Sequence, residues 1–357
     1  MPAEVDSGLA ALSDQLILVT VLLYALAMIG YALDLAFGRA SSRAAGRADA
    51  SAEAAPGTEP ALAAVGAPTA VTGQAGGQAS GEDAGDTGGG TAAPAGSAAA
   101  EDGAGSAEGA EGGAPSGWVL KAGAAATVLS WIGLVANAGS LVTRGLAASR
   151  WPWGNLYEFM VAMCLAAVGA FLLMQLRYPV RFLGSFITGA AGLGLGYAVH
   201  SWHVETAPAM VALNSYWIAI HVSAAVLASG LFIVAGACGV IYLIRHEAAD
   251  HLPTRQELER VAHRAIVIGF PIWTFAVIAG ALWADKAWGR YWGWDPKEIW
   301  AFITWIVYAG YLHARATAGW KGRSAMIVQL VAFACLLFNL IGVNLFIDGL
   351  HSYAEVP

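Results

Sequence analysis

The chain predicts an all-α fold, a polytopic transmembrane helix bundle of about eight spans with an external Trp-rich loop. Three observations carry that reading. Hydrophobic residues make up 57% of the chain and charged residues 12%, about half the charge of an ordinary soluble domain. Long apolar runs recur along it, each sufficient to span a bilayer. Six of its 14 tryptophans fall in the single stretch 283–305, between two of those runs. The net charge of −7 gives no basic surface for nucleic acid.

Residues 1–15 hold Glu4, Asp6 and Asp14 but no Lys or Arg. A secretory signal needs a basic start, so 16–37 reads as a retained span within an N-terminal segment 1–39. Arg39, Arg43 and Arg47 follow it, which places the N-terminus outside and the next segment in the cytoplasm. That segment, 40–117, is almost wholly small and acidic residues without an aromatic before its end. It has too little apolar surface to offset its ordering entropy, so it reads as a disordered acidic linker, a spacer in preference to a docking tail.

Seven further spans follow by hydropathy within a domain 118–353: about 118–143, 156–176, 182–199, 215–244, 264–284, 298–316 and 325–347. Alternation from an external N-terminus makes the Trp-rich loop, 283–300, and the C-terminus external. The basic residues agree, with 13 of the 18 on the inner side and 5 outside. Three further external pieces then meet that loop: 150–158, 200–214 and the chain end at 350–353. Cys164, Cys238 and Cys335 each lie in an apolar run without CxxC spacing, as small buried side chains rather than a redox pair.

An aromatic belt needs one or two tryptophans per helix end. Trp288-Gly-Arg-Tyr-Trp-Gly-Trp294 exceeds that, and its glycines let the backbone fold tightly enough to present several ring faces to one planar partner. Trp288, Trp292 and Trp294 are therefore candidates for a platform. Asp295-Pro-Lys-Glu298 fits an N-cap, a Pro at the first helical position and an acidic third residue. Capping explains Asp295 without a ligand, and contact with the platform is its other reading.

The histidines divide. His246, His251 and His263 sit in the polar segment 245–264 as a solvated face, and His200 and His203 flank Trp202 at the external interface. His221 lies two turns into a span, on the face of Trp217, and His351 follows the last span at the same external end. His313 lies about fifteen residues into the span after the Trp-rich loop, roughly 22 Å deeper, where an ionisable side chain is expected to face the bundle interior. A helix–helix hydrogen bond accounts for His221 or His313, and a snorkelling terminus for His351. The pair His221 and His351 beside an indole platform also meets the requirements of bis-imidazole haem ligation.

WGRYWGWDPKEIW (288–300) closely resembles the tryptophan-rich "WWD" signature of the haem-handling membrane proteins. The run through Trp305 to Tyr311-Leu-His313-Ala-Arg315, together with NSYWIAIHV (214–222) and GVNL…GLHSY (342–353), resembles the CcsA/ResC type of System II cytochrome c biogenesis, labelled CcsB in some lineages. The resemblance covers 118–353 and leaves the 40–116 stretch unmatched. It implies haem b as substrate and bound ligand, with His221 and His351 as external axial ligands. His313 falls on a transmembrane histidine whose counterpart comes from a ResB-type partner. The implied activity is that of the haem-presenting, catalytic half of a two-subunit haem lyase, joining haem vinyls to the CxxCH thiols of apocytochrome c. A thiol-reducing partner is a further expectation. The alternative is a haem exporter handing its cargo to a separate ligase, and no residue is an evident general base.

Overall fold

A computed structural model describes residues 5–38, 117–207, 215–246 and 252–351, with side chains from 121 in the second of these. The expected linker 40–117 lies outside the described residues except for Gly117, as does His251. Among the described residues the fold is all helical. Helix α1 is Ser7–Leu33, opened by Asp6, which accepts from the Gly8 and Leu9 amides, and prolonged by a π turn, Asp34–Gly38. Then come α2 (Gly117–Ala147), α3 (Leu156–Gln175), α4 (Gly184–Ser201), α5 (Tyr216–Ile244), α6 (Arg255–Trp288), α7 (Pro296–Thr317) and α8 (Arg323–Leu337). A second π turn, Phe338–Gly342, leads into the short α9, Val343–Phe346.

Seven helical segments are long and apolar enough to cross a membrane by length and composition. The eighth expected span is α7. It is less apolar because it carries Trp, Tyr and His. Its 22 residues still extend roughly 33 Å at the helical rise, enough for a bilayer core.

α1 lies against α2 and α4, while α5 packs on α3, α6 and α8. The α1–α2 seam is built of small polar residues: the buried Ser13 hydroxyl donates to the Ser140 carbonyl at 3.0 Å. Such groups let backbones approach in an apolar solvent that offers no hydrogen bonds of its own. In the centre Phe232 of α5 stacks on Tyr308 of α7 at 4.0 Å. Both side chains are fully buried.

Two charged clusters tie the ends. At one, the fully buried Glu158 receives Arg150 through paired contacts of 2.7 and 2.8 Å, Arg144 at 2.9 Å and the Gly154 amide at 2.7 Å. His203 reaches Asp14 of α1 at 3.2 Å. At the other end Glu259 of α6 pairs with Arg315 of α7 and accepts from the Gly322 amide at 2.9 Å.

Three expectations about segments change. The Trp-rich stretch is largely helical: Trp283 and Trp288 end α6, and only 289–295 is irregular before α7. The polar segment 245–264 is helical from Arg255. His263 is part of a helix contact, with Tyr311 at 3.4 Å, rather than of a solvated face.

Candidate functional site

The α6–α7 turn is built from its caps. Gly289 ends α6 with φ +70°, its amide bonding the Asp285 carbonyl at 3.0 Å. A glycine takes this left-handed turn at no steric cost. Trp294 also has positive φ, +57°, a conformation that costs an L side chain roughly 1–2 kcal/mol. The following residues hold it there. Glu298 accepts from the Gly293 amide at 2.8 Å and the Asp295 amide at 3.0 Å, and Asp295 accepts from the Lys297 amide at 3.2 Å.

Asp295 does more than cap. Its carboxylate also receives the Leu350 amide at 2.6 Å and Nδ1 of His351 at 2.8 Å. The turn between two helices is thereby tied to the chain end. Burial alone raises the Asp295 pKa. The bonds from His351, Leu350 and Lys297 outweigh that effect, and the carboxyl is held below its ordinary value.

His221 reaches the same region from α5. Its Nδ1 donates to the Ala276 carbonyl of α6 at 2.8 Å. The ring has room because position 280 is glycine: a Cβ there would stand 2.7 Å from the imidazole. Both imidazoles therefore carry the proton on Nδ1, toward a carbonyl for His221 and a carboxylate for His351. With Nδ1 so committed, Nε2 is the nitrogen through which either ring would coordinate a metal.

Trp283 links the two, 1% exposed. It stacks on His221 with ring centroids 6.1 Å apart and 9° between planes, and meets His351 edge-on at 5.6 Å. Trp288 meets His351 at 5.0 Å. The two histidines, Lys297, Glu298 and five tryptophans (153, 273, 283, 288 and 292) line one cavity of about 1100 Å³, its open mouth included. The wall at Trp153 and Asn155 is set by the buried Glu158 cluster, since Glu158 binds the Gly154 amide directly.

The structure thus brings together His221, His351, Trp288 and Trp292, with Asp295 behind His351. It does not bring Trp294 to the cavity: that ring is 64% exposed and packs edge-on to Trp292 at 5.8 Å. His313 also departs from expectation. It is exposed on α7 rather than turned into the bundle, on the face that carries Phe302, Ile306 and Gly310 and far along the helix from the cavity. Contributors that escaped sequence reasoning include Trp273, Gly280, Trp283, Lys297 and Asn339. The signal for the α6 wall was Ala276, Val277, Gly280 and Ala284, a helical stripe of mostly small residues running beside Trp273 and Trp283.

The pattern of the family described as "Cytochrome C assembly protein" matches residues 153–351, which take in every element of this cavity. This chain belongs to that family. Among its relatives are proteins named "Cytochrome c biogenesis protein CcsA". The one from Chlamydomonas reinhardtii is 34% identical over 224 residues, 60% of this chain and 64% of the relative. The one from Parasynechococcus marenigrum (strain WH8102) is 33% identical over 261 residues, 62% of this chain and 85% of the relative. That from Trieres chinensis is 31% identical over 252 residues, 60% and 81%. The chain therefore spans just under two thirds of the Chlamydomonas protein's length and more of the others. α1 and all of α2 lie outside the family match, which begins at Trp153.

Proposed function

We propose that this chain acts in cytochrome c biogenesis, as the haem-presenting and catalytic half of a two-part haem lyase in a cell membrane. The observation that carries the reading is the cavity itself: two histidines from distant parts of the chain, each with Nδ1 committed, line one indole-walled space. The residues fit the group. Imidazoles oriented through Nδ1 suit axial ligation of iron through Nε2, and indoles suit the faces and edges of a flat macrocycle. Haem, as the substrate, brings its vinyl groups, and an apocytochrome CxxCH segment brings the thiols.

The chain's own part in this reading is positioning. Asp295 orients His351, the Ala276 carbonyl orients His221, and the tryptophans exclude water from the reacting edge. The loop 289–295 and the chain end lie on the external side by the distribution of basic residues, with 13 of 18 on the other side. The exposed His313 supports a second, transmembrane haem position on the face of α7. Its other axial ligand then has to come from outside this chain, from a ResB-type partner. The segment 40–117 serves as a cytoplasmic spacer.

Purified together with a ResB-type partner, reduced haem and an apocytochrome peptide carrying CxxCH, the protein is expected to yield thioether-linked haem. The product is read by haem staining after denaturing electrophoresis. Haem that stays bound and is attached only after a separate ligase is added would replace this reading with haem export. The outward-facing His313 gives no preference between the two, whereas the enclosed cavity with its paired imidazoles favours the lyase.

A further inference from the structure

The cavity is not uniformly apolar. Lys297, at the start of α7, lines it and donates from Nζ to the Asn339 backbone carbonyl at 2.8 Å. An ammonium group has three donors, and this contact uses one. Lys297 makes no ion pair among the described residues. The neighbouring carboxylates are engaged elsewhere, Asp295 by His351 and two amides, Glu298 by the Gly293 and Asp295 amides. Asn339 lines the same space, is 5% exposed, and its Oδ1 has no hydrogen-bond partner. It sits in the π turn Phe338–Gly342, an irregularity of the kind found at binding sites. Asn155 and Asn344 line the cavity too.

A cation whose hydrogen bond goes to a backbone carbonyl is costly in a space walled by indoles unless a ligand meets its remaining donors. The ligand such a set recognises is a carboxyl group: its oxygens accept from the ammonium and the amide Nδ2. We propose that Lys297 and Asn339 form a carboxylate subsite within the cavity, and that it takes a propionate of the haem held by His221 and His351. The proposal rests on the haem reading above and adds an orientation to it. Two axial imidazoles alone leave a macrocycle able to turn about the axis through its iron. A carboxylate anchor at one edge stops that rotation. Propionates and vinyls occupy opposite edges of haem, so the anchor decides where the vinyls lie for thioether formation.

The test compares haemin with its dimethyl ester, titrated into the protein purified with its partner and followed by absorbance. Haemin ligated by free imidazole in the same detergent serves as the solubility reference. Wild type is expected to prefer the diacid by about tenfold or more, the scale of one charge-assisted hydrogen bond. Lys297→Met is expected to lose that preference, and Lys297→Arg to keep much of it. Equal binding of acid and ester by wild type, with a spectrum that still depends on His221 and His351, would overturn the subsite and leave the haem reading intact. Retention of the preference by a folded Lys297→Met would overturn it equally. If neither compound gives a histidine-dependent spectrum, the haem reading fails with it. Should Lys297→Met not fold, the wild-type comparison alone decides.

Discussion

His221 and His351 stand 130 positions apart in the chain, yet both bond through Nδ1 to a fixed acceptor beside one cavity. Gly280 is what lets His221 do so. Gly280→Ala places a methyl 2.7 Å from the imidazole, while in helix propensity it gains about 1 kcal/mol. The variant is therefore expected to fold and to lose or shift the haem spectrum as a His221 variant does. An unaltered spectrum in a folded Gly280→Ala would show that the ring's present position is unimportant. Asp295 allows a test by pH. Its folded pKa lies below the ordinary value, so its stabilisation is complete above about pH 4 and is lost as pH falls through the folded value. The gap in thermal midpoint between wild type and Asp295→Asn should be present at pH 7 and close below about pH 4. A gap that stays constant to lower pH would contradict the role given to the ionised carboxylate.

At this scale sequence and structure agree unevenly. Paired histidines and the Trp-Gly spacing pointed to His221, His351, Trp288 and Trp292. Trp294 defeated the same reasoning because one positive φ throws its ring outward, and spacing does not encode that turn. Asp295 was open to two readings, cap or site, and it serves both ends, capping α7 while holding His351. Lys297 was overlooked because the capping box around it already explained the local sequence.

Among the elements, the turn between α6 and α7 is shorter than tryptophan and glycine content suggests. Trp283 and Trp288 belong to a helix whose apolar face continues through them, and it ends only at Gly289. The wall formed by α3 depends on Glu158. Removing one partner of a buried ionic cluster costs about 3–5 kcal/mol, well beyond an ordinary surface change. Glu158→Gln leaves Arg144 and Arg150, 2% and 8% exposed in their side chains, without their carboxylate. A marked fall in thermal midpoint in detergent is expected, with weaker haem binding through displacement of Trp153. A midpoint equal to wild type would show that the cluster is dispensable. No hydropathy pattern could have indicated this contact, because it joins three segments through side chains that composition alone assigns to the surface.

For the whole molecule, helix number and length were plain in the apolar runs, and α7 qualified by length despite its lower hydropathy. The facing of His313 was not plain. A rule that sends ionisable side chains inward assumes that the bundle is complete, whereas an outward histidine is consistent with a partner completing the site. In the complex with a ResB-type protein, His313→Ala is expected to remove haem absorbance that His221 and His351 variants leave in place. If the same fraction of haem is lost in all three, there is one site and not two. Replacing 40–117 by a Gly/Ser stretch of equal length should leave cytochrome yield within about twofold if the segment is a spacer. A collapse in yield would instead indicate a docking role.

Everything proposed for the cavity turns on the assignment of His221 and His351 as the axial pair of one haem. Its most direct test is the reduced-minus-oxidised absorption spectrum of the complex in four forms: wild type, His221→Gly, His351→Gly and both together. Each is measured with and without added imidazole. A six-coordinate b-type spectrum is expected, which the double variant loses at this site and imidazole restores in the cavity left by each ring. A double variant that binds haem with the wild-type spectrum and stoichiometry would contradict it.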